Sequence, residues 1–188
     1  YGFRSTEVIS IFVTHQVNLP VQIHERMVSV LHRNYISQFD HIWVMDNPNS
    51  DLAGKLSQSK RRNVSYIGPF SRFSRYSQRP EKNIKQVLIA SGPNIYAQQL
   101  VDEVLASDHF GQDIVVIHNG ELSIPNEIKA VSGNWKEQDQ VIMRAHHLIS
   151  RSGYSTLMDC KELGTEATLI ATKGQREQEY LADLFLRK

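Results

Sequence analysis

A chain of 188 residues is long enough for one large domain or two small ones, and an apolar share of 40% supplies a core for either. A formal net charge of +1 gives no footing for a general nucleic-acid binder, and the single cysteine, Cys160, excludes an internal disulfide and fits a reducing compartment. No apolar run approaches the roughly 18 residues of a membrane span.

In chain order, Val8–Thr14 (VISIFVT) predicts a buried strand. Apolar positions 23, 27, 28, 31, 35, 36 and 39 fall at helical spacing and predict a helix over 21–39. HIWVMD predicts a second strand, a polar small-residue segment follows, and VSYIG predicts a third. The stretch 68–83 is rich in Ser, Arg and Pro, has neither period, and reads as a linker. KQVLIAS then predicts a strand and 95–106 a helix; DIVVIH and EIKAVSG predict two more strands. A helix is expected over 136–145, a short strand at HHLIS, and a helix over 154–163 that stops at Gly164. ATLIAT predicts the last strand and 175–186 the last helix.

The strands are continuous apolar runs, which suits strands covered on both faces. Their alternation with helices predicts an α/β fold of parallel sheet. The expected organisation is 1–70 as the end of one Rossmann-like domain, 71–84 as linker, and 85–188 as a second Rossmann-like domain. Ligands of open α/β sheets bind at the carboxyl ends of strands, so the loops there are the candidate site.

Of those loops, RSGYST is the most informative. Gly153 stands where a strand turns into a helix, permits a tight bend and lets a ligand reach the backbone. The free amides of the new helix carry partial positive charge and suit a phosphate. Ser152, Ser155 and Thr156 add hydroxyls, and Asp159 follows one turn later on the same face, where it can accept from a diol. The plainer alternative is a serine helix cap with a solvated Asp159. In GQREQEYLA, Gln178 and Glu179 can chelate sugar hydroxyls, or serve only the positive end of a helix dipole. Ser91 and Gly92, in SGPN, form a turn that lacks both the G-x-G-x-x-G fingerprint and the Walker lysine. His15 ends a strand and is a weak candidate for a general base. Among the scattered arginines only Arg72 stands out. No His, Cys or carboxylate set has metal-ligand spacing.

SGPN, SGNW, RSGYSTLMDCKELG and GQREQEYLA, in this order and on these strand ends, resemble the C-terminal, donor-binding half of a GT-B glycosyltransferase. The closest likeness is to the MurG-like group of glycosyltransferase family 28. It is strong over 85–188 and weaker over 8–72, where THQVN and YIGPFSR resemble the end of the acceptor half and the crossover. The resemblance implies a UDP-sugar bound between two Rossmann-like domains. Gly133, Asn134 and Trp135 would hold the uracil, and Ser152, Gly153, Ser155 and Thr156 the diphosphate. Asp159 would take the ribose, with shorter reach than the glutamate usual there. Gln178 and Glu179 would read the sugar, Ser91 and Gly92 would lie below the phosphates, and Arg72 would face them. His15, Gln16 and Asn18 would lie near the acceptor. The family's glycine-rich, histidine-bearing acceptor loop is not in this sequence, so a fragment of a longer enzyme is expected.

What the resemblance implies for function is inverting transfer of a hexose, such as GlcNAc, from a UDP-sugar to an unknown acceptor that can be lipid-linked. No cofactor or metal is implied. The setting would be cell-envelope synthesis, in the cytoplasm or at the inner membrane face. A non-catalytic nucleotide-sugar binding module, or a donor-binding subunit needing a partner, is the second reading. A UDP-sugar epimerase is a third, and it would need acid and base carboxylates at the sugar that only Glu179 and Glu177 could supply.

Overall fold

The structure, a computed structural model, describes residues 8–20, 26–107 and 113–187. They form two compact units: one runs to Phe70 and takes in the chain from Leu186, and the other spans Ser71–Phe185. Each is built on a parallel sheet of Rossmann-like kind, as the alternation of strands and helices predicts.

In the first unit β1 (Ile11–Thr14), β2 (His41–Val44) and β3 (Val64–Tyr66) lie side by side in that order. All are parallel, with Phe12 opposite Ile42 and Ile42 opposite Val64. Helix α1 (Arg26–Ile36) connects the first two, and its last residue, Ile36, packs with Val17, Ile42 and Val44 as the core. The start of the predicted helix, including Ile23, lies outside the described residues. The expectation of a strand covered on both faces fails here. β1 is shorter than predicted, and β1 and β2 alternate: Ile11, Val13 and Trp43 are exposed while Ile42 and Val44 are buried. Among the described residues the core lies on one side of this sheet, and the side chains on the other side are exposed.

The loop after β2 is wound around Asp46, which is fully buried. One carboxylate oxygen accepts from the amides of Asn47 (2.8 Å) and Leu52 (3.1 Å). The other accepts from the Ala53 amide (2.9 Å) and the Ser57 hydroxyl (2.7 Å). A buried carboxylate is tolerated only with such a full set of donors.

The second unit has strand order β6-β5-β4-β7-β8, all parallel. The strands are β4 (Ile84–Ala90), β5 (Ile114–His118), β6 (Lys129–Ser132), β7 (Ala145–Arg151) and β8 (Glu166–Ile170). Helix α2 (Asn94–Leu105) packs Leu100, Val101 and Val104 on one face, against Leu88, Ala90 and Ile149. Helices α3 (Trp135–Met143) and α4 (Tyr154–Leu163) bring Val141, Ile142, Cys160 and Leu163 to Val87, Ile117 and Leu148 on the other. Both faces are therefore covered, which is why these strands read as unbroken apolar runs. Gly164 closes α4 in the left-handed region (φ 56°), as the sequence predicts, and α5 (Arg176–Leu186) ends the fold.

The stretch read as a linker is part of this unit. It carries a 3-10 helix at Arg72–Arg75, and Phe73 is fully buried among Val87, Ile142 and Leu148. Charges and turn residues hide the signal, because a single aromatic anchor has no period.

Strand order reverses between β4 and β7. From β4 the chain passes to β5 on one side; from β7 it passes to β8 on the other. Loops leaving the carboxyl ends of β4 and β7 thus diverge and leave a crevice, the place where such sheets bind ligands.

Candidate functional site

A small cavity of about 100 Å³ opens at that crevice. Its walls are Ala90 and Ser91 at the end of β4, His118 and Asn119 at the end of β5, Gln138 in α3, and Ser155, Thr156 and Asp159 in α4, with Arg72 from the 3-10 helix. All belong to the second unit. Pockets that take whole small molecules usually measure about 300–1,000 Å³. This one suits a phosphate-sized group, with the remainder of a larger ligand lying outside it.

Helix α4 begins beside the cavity. Gly153 is its N-cap and provides no side-chain cap, so no capping side chain stands between the helix start and the cavity. Ser155 is exposed and Thr156 half-exposed at that tip. The backbone of Gly153 is ordinary extended chain (φ −78°), so the bend itself does not demand glycine. What glycine leaves is space: a Cβ there would touch only the Ser155 hydroxyl, at 3.9 Å.

Asp159 is neither a free clamp nor a solvated charge. Its Oδ1 accepts from the Ser71 hydroxyl at 2.7 Å, and its Oδ2 lies 3.8 Å from Arg72 Nε. Burial pushes its carboxyl above the usual carboxylate range, and the Ser71 hydrogen bond and the Arg72 charge offset this only in part. A folded-state value raised above the unfolded one means the folded chain holds this proton more tightly. That contribution to stability is whole below the unfolded value of about 4 and is lost as pH rises through the folded one. Asn can still accept from Ser71 and carries no charge, so Asp159→Asn should melt higher than wild type at pH 7, with the gap closing toward pH 4. Thermal melts across that range check it; a variant that melts lower at pH 7 would show that the Arg72 attraction outweighs burial.

Several expected ligand groups are already engaged. The Ser152 hydroxyl is buried and donates to the Gln178 carbonyl at 2.7 Å, so it ties α4 to α5. Gln178 Oε1 accepts from the Thr172 amide at 2.9 Å, and its amide nitrogen donates to Gln175 Oε1. Glu179 Oε1 accepts from the Gly174 amide at 2.9 Å. Both side chains brace the turn before α5, the local reason polar residues favour a helix start. Gly92 adopts φ +96°, a turn requirement, and stands outside the cavity that Ser91 lines. Gly133 is likewise positive (φ +82°), and Asn134 caps α3 by accepting from the Lys136 amide at 3.0 Å. Trp135 is half-exposed at the α3 tip with the Arg75 guanidinium 4.3 Å over its ring. These three do not line the cavity. His15, Gln16 and Asn18 lie in the first unit, where Asn18 donates to the Lys55 and Gln58 carbonyls and the Gln16 carbonyl meets His32 Nε2. The Cys160 thiol is buried and pushed up to about 12, chiefly by that burial, which suits an inert core group.

The cavity walls His118, Asn119 and Gln138, and Asp139 behind them, escaped the sequence reading. His118 Nδ1 meets the Gly120 carbonyl at 2.8 Å; a carbonyl only accepts, so Nδ1 carries a proton. Gln138 is buried and donates to Asn119 Oδ1 at 2.6 Å. Asp139 is buried and holds two arginines. The available signal was the pair Gln138-Asp139 on the helix face whose neighbours, Val141 and Ile142, point to the sheet. Among the described residues there is no cluster of three metal-ligating side chains, and no helix long and apolar enough to cross a membrane.

The fold and its crevice define a Rossmann-like α/β protein with a polar site at the strand-order reversal. No protein-family model matches the chain, and no curated protein matches it. Among solved structures it resembles the glycotransferase of kitacinnamycin, with a TM-score of 0.53 and 16% identity over 94% of this chain and 55% of that one. CalG4, the calicheamicin glycosyltransferase, superposes with a TM-score of 0.46 and 13% identity over 88% of this chain and 46% of that one. The chain spans about half the length of these structures. The first likeness, at this identity, is one of fold.

Proposed function

We propose that the chain is the donor-binding part of a glycosyltransferase that moves a hexose from a UDP-sugar to an acceptor hydroxyl. The observation that carries this reading is the uncapped start of α4, opening beside a cavity walled by Arg72, Ser155 and Thr156. A departing nucleoside diphosphate develops negative charge. Amides aimed at it from a helix tip and a nearby guanidinium are fixed donors, and such donors typically contribute about 3 kcal/mol each to the transition state. The reading takes the transfer as in-line attack with inversion. It leaves the sugar unnamed, since Gln178 and Glu179 brace their own turn.

Gly153→Ala tests it. The space and backbone at that position admit a methyl group, so stability should stay within about 0.5 kcal/mol of wild type. The same methyl would stand before the α4 amides and should weaken UDP at least tenfold in a calorimetric titration. Unchanged UDP affinity in a folded Gly153→Ala protein would remove the α4 tip from the site.

One observation favours the second reading, a nucleotide-sugar binding module: every wall of the cavity comes from the second unit. UDP binding without turnover of any UDP-sugar, with or without acceptor, would select it.

A further inference from the structure

The side chain of Asp139, on α3, is 1% exposed and meets three donors. Its Oδ1 lies 3.1 Å from Arg72 Nε. Its Oδ2 accepts from Arg75 Nη2 at 2.5 Å and from the Tyr76 hydroxyl at 2.9 Å. Arg72 and Arg75 are themselves about half exposed, and each could solvate its charge elsewhere. Arg72 walls the cavity, and Arg75 lies over the Trp135 ring. We propose that Asp139 is a positioning residue for the donor site: one buried carboxylate holds Arg72 at the anion end and Arg75 against the ring at the other. The proposal rests on the UDP-sugar reading above.

Removing a negative charge from beside an anion site would by itself favour the anion, so the sign needs an argument. Asp159 decides it. Its Oδ2 already lies 3.8 Å from Arg72 Nε, against 3.1 Å for Asp139. Without the Asp139 charge, the other carboxylate beside Arg72 among the described residues is Asp159, which also lines the cavity. Pairing with it takes the cation and the Asp159 acceptor out of use together. Asp139 thus keeps Arg72 in place by competing for it.

The experiment is a double-mutant cycle read by UDP titration of the full chain. Asp139→Asn should bind UDP about tenfold more weakly, and Arg72→Ala at least as weakly as that. The double variant should bind within twofold of Arg72→Ala, because Asp139 acts through Arg72; losses that multiply instead would overturn the proposal, as would unchanged binding by folded Asp139→Asn. A second arm needs no nucleotide. The chain has two tryptophans, so Trp43→Phe leaves Trp135 as the sole indole. In that background Asp139→Asn should increase acrylamide quenching of Trp135 as Arg75 leaves the ring, and equal quenching would overturn the network. Should wild type not bind UDP, the donor reading fails and the quenching arm alone decides whether Asp139 positions Arg75. Should Asp139→Asn not fold, Tyr76→Phe removes one donor from the carboxylate and leaves both arginines. It should then show a two- to threefold loss of UDP affinity that vanishes in the Arg72→Ala background; a loss that persists there counts against the proposal.

Discussion

Asp46→Ala should open the first unit. The substitution strips the acceptor from the buried amides of Leu52 and Ala53 and from the Asn47 amide, and leaves the Ser57 hydroxyl only the Gly54 carbonyl at 3.1 Å. A hydrogen bond to a charged group contributes about 1.5–3 kcal/mol, and a buried donor left unmatched costs about 1–3 kcal/mol. Some donors will find water once the loop loosens, so the expected loss is about 3–5 kcal/mol, not the full sum. The core it must be set against includes Val17, Ile36, Ile42 and Val44, with Leu52, Ala53 and Leu56 buried in the loop itself. Hydrogen exchange is the direct readout. Amides of Leu52 and Ala53 should lose protection, while those of Leu88 and Leu148 in β4 and β7 should keep theirs. Native protection at Leu52 in the variant would show that the carboxylate is not what holds the loop.

Phe73→Ala should be the costliest truncation in the second unit. Phe73 is fully buried, the bulkiest of the fully buried side chains among the described residues, and lies in the cluster built on Val87, Ile142 and Leu148. Truncating such a phenylalanine costs about 3–5 kcal/mol, the spread reflecting how far the site collapses. The Arg72 guanidinium lies 5.0 Å over its ring. Losing the ring should therefore free Arg72 as well, and weaken UDP binding by more than the loss of stability accounts for. Phe73→Leu, which keeps most of the volume, should cost less than about 1.5 kcal/mol. Urea titrations with an unchanged slope would give these differences directly. A Phe73→Ala variant as stable as wild type would return residues 71–84 to the status of a linker.

Much of the fold was legible because periodicity is a local property. Helix α4 was placed at Tyr154–Leu163 with its glycine stop, and each strand of the second unit was located within two or three residues of its ends. Apolar runs that feed a sheet covered on both faces announce themselves residue by residue. In the first unit the same rule misled, since a run such as VISIFVT looks identical whether its second face is covered or open.

The lining of the cavity was legible in part. Arg72, Ser91, Ser155, Thr156 and Asp159 do share one cavity, and the α4 tip does open beside it. The engagement of Ser152, Gln178 and Glu179 with their own chain was not readable from the sequence. Their partners are the Gln178 carbonyl and the amides of Thr172 and Gly174, and no spacing rule shows whether a hydroxyl or amide is already engaged.

The sequence by itself determined that this protein is a parallel α/β chain, where its elements fall, and which strand-end loops could meet a ligand. Only the tertiary structure decided that Phe73 belongs to a core and that Asp139 holds two arginines. It also decided that Asp159 answers to Ser71, 88 residues away. The physical reason is that patterning reports the face a residue turns to its own neighbours, whereas a buried charge is defined by partners that the chain brings together only on folding.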